Sequence, residues 1–274
     1  MKRGFADTPD GQIHYRTEGV GEAILLLHAS PNSSVEFNKV VPILARKYRA
    51  IAVDRIGYGD SDKPPHQYEM SDYARVVVDF LDALGISKAS LVGWHTGAGE
   101  AGEVAASYPE RVDKLVLTSY PLYTQEMIEE RRKGLVPHIS RIMPLQLKED
   151  GSHLNTAWDW VSELRGPNAS LEDIHEHTIA ILEGGPRNAE APLALWRYVE
   201  RGDAQKRLTL IKCPTLVLMF PRSKFYFQRE VIKKLIPRSK IVVIGKDVTT
   251  PHVPSLAAEE FAQAIMDFVA NPGL

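Results

Sequence analysis

One cysteine in 274 residues leaves no partner for an internal disulfide. Cys213 stands beside Pro214 at the start of an apolar run, so it is expected as buried packing rather than a nucleophile. Long hydrophobic runs are also missing: nothing approaches the ~18 apolar residues of a spanning helix. The opening MKRGFADTPDGQIHY has two basic residues without the apolar stretch of a signal peptide, so cytoplasmic residence is the expectation. There is no excess of one charge either. The net charge is -2 with 25% of residues charged, which points to neither a nucleic-acid partner nor a membrane surface. Internal repeats and low-complexity tracts are absent. What remains is an ordinary globular composition, 44% hydrophobic, at a length that suits one large α/β domain with an inserted subdomain.

The chain alternates strand and helix signals. AILLLHA (23–29), RAIAVD (49–54), ASLVGW (89–94) and KLVLTS (114–119) are short, nearly continuous apolar runs, as expected of parallel strands buried on both faces. Between them lie helix-like stretches: VEFNKVVPILARKY, then DYARVVVDFLDALG with Ser71 as its expected N-cap and Gly85 at its end, then TGAGEAGEVAASYP, stopped by Pro109. From 121 to 207 the alternation gives way to a helical, charged and aromatic segment. Strand signals resume in PTLVLMF (214–220) and KIVVIG (240–245), and the amphipathic LAAEEFAQAIMDFV closes the chain. The predicted architecture is a doubly wound, mostly parallel α/β sheet formed by 1–120 and 208–274, with 121–207 as an inserted helical cap. Ligands bind at the carboxyl ends of the strands in such sheets.

At one of those ends stands LVGWHTGAGEAG (91–102). Gly93-Trp94-His95-Thr96-Gly97 has the shape of a sharp strand-to-helix turn, and small residues flank the tight part. LLLHASPNSS, VDRIGYGDSDKP, LVGWHTGAG, CPTLVL and PHVPSLAAEEFAQAIMDFV, in this order, resemble the α/β-hydrolase superfamily, in its small bacterial branch of esterases, haloperoxidase-like proteins and C–C bond hydrolases. The resemblance spans nearly the whole chain outside the cap segment. It implies a nucleophile on the elbow, a histidine before the last helix, an acid that orients it, and two backbone amides for an oxyanion.

Carried over position by position, the resemblance makes the amides of Ser30 and Thr96 the oxyanion donors and His252 the partner histidine, with Asp247 and Thr249 as alternatives in a shifted register. The elbow residue is His95. The usual acid position after PTLVLMF offers only Arg222, Ser223 and Lys224, and the alternative after KLVLTS holds Tyr120.

Several roles compete for His95: general base, nucleophile, metal ligand and packing. Imidazole, with a free pKa of ~6.5, accepts a proton at neutral pH without the activation serine needs, which favours a base. A metal would need three or four ligands. His28, His95 and His252 could converge, but no HxH or HExxH spacing supports a site, and His175 and His177 fall on different helix faces. No metal or cofactor is expected. Glu100 could face the pocket and pair with His95 or Arg222, or share a solvated face with Glu103, which charge grouping favours. Asp54, Arg55 and Asp60 are expected to stabilise the glycine turn. His28, Trp94, Glu100, Tyr120, Trp158 and Arg222 are further pocket candidates, while Trp160, Trp196 and Tyr198 are core or pocket aromatics.

Two functions follow. One is a monomeric or homodimeric enzyme acting on a small carbonyl or ester-type molecule: a hydrolase of ester, lactone or C–C bonds, or a lyase, isomerase or decarboxylase on the same fold. The other is a catalytically retired scaffold that binds a small molecule.

Overall fold

The computed structural model describes residues 1–133, 143–246 and 253–274. Its centre is an eight-stranded sheet. Two antiparallel strands, β1 (Lys2–Thr8) and β2 (Gly11–Glu18), lead to β3 (Ala23–Leu27), β4 (Arg49–Val53), β5 (Ala89–Trp94), β6 (Val112–Thr118), β7 (Thr215–Met219) and β8 (Ser239–Val243). The spatial order is β1-β2-β4-β3-β5-β6-β7-β8, parallel from β4 onward. All six expected strands are present. The hairpin β1–β2 was not expected from sequence, because most of its side chains are exposed or half-buried and give no apolar run.

The runs of the inner strands are buried on both faces because successive side chains alternate across the sheet, while β8 at the edge is mostly half-buried. Leu25 and Leu27 enter one core, which includes α2 (Met70–Ala83) and α3 (Thr96–Ser107). Ile24 and Leu26 enter the other, against α1 (Val41–Leu44) and, at the chain's end, α11 (Ala258–Ala270). The helix expected over VEFNKVVPILARKY is reduced to a 3-10 turn at Ser34–Phe37 and the short α1. α2 starts two residues earlier than Ser71 implied. Glu69 is the N-cap, and the Asp72 side chain accepts from its amide at 2.8 Å, which completes a capping box.

Between β6 and β7 the described elements are helical: α4 (Gln125–Arg132), α5 (Ser152–Arg165), α6 (Leu171–Gly184), α7 (Glu190–Glu200) and α8 (Asp203–Leu208). They divide by packing. Ala194, Leu195, Trp196, Val199 and Leu208 of α7 and α8 join the core of α2 and α3, whereas Val161, Ile174 and Ile181 of α5 and α6 form a small core of their own. The helices α9 (Arg229–Leu235) and α10 (Val253–Leu256) complete the chain. Among the described residues no helix is long and apolar enough to cross a membrane.

Candidate active site

β5 runs out of the sheet at Trp94, and the chain reverses at once into α3. His95, the pivot, holds φ 49° and ψ -104°, a left-handed setting rare for a residue with a Cβ. Its amide donates to Thr118 O at 3.0 Å, and its carbonyl accepts from the amides of Ala98 and Gly99 at 3.0 and 3.1 Å. The flanking glycines are required by close approach. A Cβ on Gly93 would lie 2.2 Å from Gly97 O, and one on Gly97 would lie 2.1 Å from Leu27 O. The turn therefore lies hard against the end of β3, and a half-buried imidazole is held at the carboxyl edge of the sheet.

A cavity of about 340 Å³ opens above this edge. Ser30, Trp94, His95 and Arg222 line it, together with Glu36, Ser119, Ser223, Lys224 and the apolar Trp160, Leu164, Ile181, Phe220 and Phe225. The His95 ring lies 5.6 Å from that of Phe225, with its Nδ1 3.3 Å from Thr96 Oγ1. The Ser30 amide donates toward the same hydroxyl at 3.4 Å. Ser30, Thr96 and His95 thus meet around one oxygen, and Thr96 contributes the first amide of α3, one of the donors a helix leaves without an internal partner. His252, Asp247 and Thr249 lie outside the described residues.

Four expected pocket residues are elsewhere. His28 is fully buried behind the loop: its Nδ1 donates to Ala29 O at 2.9 Å and its Nε2 accepts from the Arg55 amide at 3.0 Å. Burial, seconded by the Arg55 charge, lowers its pKa to about 3, so it stays neutral.

Glu100 neither enters the cavity nor shares a solvated face. It is buried and takes Arg55 Nε on Oε2 at 2.8 Å. Burial raises its pKa while Arg55 opposes the rise. Glu103 is buried too, accepting from Arg207 and from Tyr198 OH at 2.8 Å. The solvated-face expectation fails because Gly97, Ala98, Gly99, Ala101 and Gly102 make α3 thin enough to be packed on all sides. Its acids are then kept inside by arginines from other segments.

Tyr120 turns into the core, its OH donating to Ala204 O at 2.8 Å. Trp158 packs in the small α5–α6 core, and Trp160 takes the place at the cavity instead.

Hydroxyls stand at the cavity wall after β6 and β7. Ser119, with φ 50°, follows β6, and Ser223 follows β7; their Oγ atoms lie 3.0 Å apart at the cavity wall. Tyr120, which the sequence reading placed after β6, stands one residue further on and faces the core.

The glycine turn is locked as expected. Asp54 accepts from the amides of Ser34 (2.6 Å) and Asp60 (3.0 Å) and pairs with His14 Nδ1 (2.8 Å). Burial would raise its pKa, but the hydrogen bonds of His14 and Ser34 overcome that and hold it at about 2. His14, Asp54 and Asp60 offer the only His-and-carboxylate grouping of metal-site size among the described residues. The Asp54 oxygens are already taken up by these bonds, so the group serves the turn.

A buried network that sequence reasoning missed ties the loop after β3 to α5 and α6. Asn32 Nδ2 donates to Glu36 Oε2 at 2.6 Å and lies 2.9 Å from His177 Nδ1. Arg165 bonds Asp173 and Ser255 and lies 3.7 Å from Glu36 Oε1. The spacing of Asn32 and Glu36 carries the only sequence hint.

An elbow between β5 and α3, a mostly parallel sheet behind it and a helical excursion after β6 have known counterparts. A family model described as alpha/beta hydrolase fold matches residues 22–136. The chain has the α/β-hydrolase fold. Similar to this α/β-hydrolase-fold chain is a 2-hydroxy-6-oxononadienedioate/2-hydroxy-6-oxononatrienedioate hydrolase of Burkholderia vietnamiensis, 44% identical over 117 residues, 40% of this chain and 41% of that protein. Haloalkane dehalogenase 2 of Mycobacterium tuberculosis is 34% identical over 112 residues, 40% of this chain and 39% of its own length. These matches span about two fifths of the relatives' length. The fold is similar over nearly the full chain to a solved bromoperoxidase of Bacillus anthracis: TM-score 0.77, 21% identity, 98% of this chain and 100% of that one.

Proposed function

We infer that this chain is a hydrolase-like enzyme for a small carbonyl or ester-type molecule, in which His95 replaces the elbow nucleophile. The observation that carries this is the His95 backbone. A non-glycine residue at φ 49° costs on the order of 1–3 kcal/mol, and the turn spends that strain on holding an imidazole at the cavity floor.

Acting as general base, His95 takes a proton from a water held over the substrate carbonyl, and the oxygen of that water attacks the carbonyl carbon. The Ser30 and Thr96 amides receive the developing oxyanion. Collapse of the tetrahedral species returns the proton to the leaving group. A direct attack by imidazole would instead give an acyl-imidazole that water then cleaves. The amide pair serves an enolate equally well, which keeps C–C cleavage, isomerisation and decarboxylation within the proposal. The helices α5 and α6 act as a cap, since Trp160, Leu164 and Ile181 close the cavity from above. No cofactor takes part in this scheme.

The test is His95→Ala assayed on a panel of esters, lactones and β-diketones. Turnover is expected to drop at least about 100-fold with an unchanged melting temperature. Full activity in that variant overturns the reading.

One observation favours a second reading: after β6 and β7, where the resemblance implies an acid, the hydroxyls of Ser119 and Ser223 line the cavity. A retired scaffold that binds a small molecule would leave the panel untouched and still show ligand-dependent thermal stabilisation.

A further inference from the structure

We propose that Arg222 and Lys224 form an anion-recognition subsite, so that the molecule taken into the cavity carries a free carboxylate at the end away from the carbonyl that His95 addresses. This rests on the same cavity being the active site, and it adds the class of substrate.

Charge balance inside the cavity carries the argument. Three of its lining residues are charged: Glu36, Arg222 and Lys224. Glu36 is 1% exposed and is answered from within the protein by Asn32 and Arg165. Among the described residues the two cations have no such answer. Arg222 makes no hydrogen bond or ion pair among the described residues, although it stands in a chain whose other arginines at the site are saturated, Arg55 by Glu100, Ser30 and His28. Lys224 touches only neutral groups there: the Tyr123 hydroxyl at 3.4 Å and the Phe225 ring, with its centroid 5.0 Å away.

An exposed cation on a convex surface is normally just solvated. These two border a concave space walled by Trp94, Trp160, Leu164, Ile181, Phe220 and Phe225, where low-dielectric walls strengthen the attraction of an anion.

The loop that presents them is also rigid. Ser223, between them, is buried and bonded to Ser119 Oγ at 3.0 Å; its amide donates to Phe220 O at 3.0 Å, and its Oγ accepts from the Phe225 amide at 3.2 Å. The two cations therefore project outward from a fixed support. The planar guanidinium fork matches a carboxylate in two parallel hydrogen bonds, and the ammonium adds a point charge beside it. The residues that displaced the orienting acid after β7 thus invert the local charge, and the substrate supplies the missing negative group.

Two assays separate this proposal from the catalytic one. The first is binding to the wild-type protein by titration calorimetry, with glutaric acid monoanilide against the neutral, similarly sized valeranilide. The acid is expected to bind about tenfold more tightly, with a preference that shrinks between 50 and 500 mM salt in line with roughly a threefold shorter screening length. Arg222→Gln is expected to erase most of the preference and Arg222→Lys to restore part of it. Lys212→Gln, which removes one exposed positive charge outside the cavity lining, leaves it in place.

The second assay is the ratio of kcat/KM for 4-nitrophenyl hydrogen glutarate over 4-nitrophenyl valerate, expected to fall about tenfold in Arg222→Gln through KM. Equal binding of the two anilides, tighter binding of the neutral one, or tighter binding of a phosphonate analogue than of the carboxylate overturns the proposal. Acid-selective binding without turnover of either ester leaves the subsite standing and overturns the catalytic reading.

Discussion

The carboxyl ends of β3 and β5, with that of β4 packed beside them, and those of β6 and β7 are built on opposite electrostatic plans around one cavity. Around the first three, every charge meets an internal partner: Arg55 with Glu100, Asp54 with His14 and two amides, His28 between a carbonyl and an amide. Around the last two, hydroxyls stand where a carboxylate is expected, and two cations look outward. The family model covers residues 22–136, so Asp54, Arg55 and Glu100 lie within its match while the loop after β7 lies beyond it. Saturated groups specify a turn, because an unpaired buried charge would be intolerable there. Unsaturated ones at a cavity are addressed to something that arrives from outside.

Variants can break that contrast, beginning where the effect is largest. Gly97→Ala forces a Cβ to within 2.1 Å of Leu27 O, and backbone cannot yield as a side chain would. Its cost is expected to reach about 4 kcal/mol or more, read by urea denaturation or, at the limit, by loss of soluble protein. Arg55→Met leaves the Glu100 carboxyl buried with its ion-pair partner gone and should cost about 3–5 kcal/mol by the same measurement; the double variant with Glu100→Leu should recover a large part of this.

His28 gives a pH signature. Its folded pKa of about 3 lies below the ~6.5 of the free side chain, so between those values the unfolded chain holds one more proton than the native one. Stability is therefore complete above pH 6.5 and falls by about 1.4 kcal/mol per pH unit on acidification toward 3. Subtracting the urea-derived stability of His28→Gln from that of the wild type at each pH from 7 to 4 should isolate this slope. A flat difference would mean that the imidazole is not held neutral. Asp54, depressed to about 2, adds its own loss only once the pH drops below about 3.8.

On the unsaturated side the effects should be small. Ser119→Ala and Ser223→Ala are expected to couple by about 1 kcal/mol in a double-mutant cycle, the net worth of one hydrogen bond. A coupling several times larger would show that this side is as tightly specified as the other.

The contrast also explains what could be read from the chain alone. Five of the six parallel strands were legible because a strand buried on both faces must be apolar, β8 because its IVV run is still apolar at the sheet edge, and the elbow because its glycines are demanded by contact with β3. The hairpin β1–β2 was not, since it is largely solvent-facing and its pattern resembles a loop. Glu100 and Glu103 were misjudged for a different reason. Charge spacing on a helix says nothing of the arginines that distant segments, at Arg55 and Arg207, bring to it. The neighbourhood of Asn32, Glu36, Arg165 and His177 was hidden on the same ground, apart from the spacing of the first two, because its two pairs lie more than 100 positions apart.

The elbow has a practical corollary in protein labelling. Its geometry is set by Gly93, Gly97 and the backbone, so the side chain at 95 can be exchanged without rebuilding the turn. A thiol placed there by His95→Cys would sit at the first turn of α3, where the helix N-terminus favours thiolate and hence alkylation at neutral pH. The native thiol offers little competition, because burial pushes Cys213 up to about 11. The wild-type background therefore already serves for attaching a fluorophore or spin label at a single point in the cavity floor, turning a chemical position into a reporter of what enters.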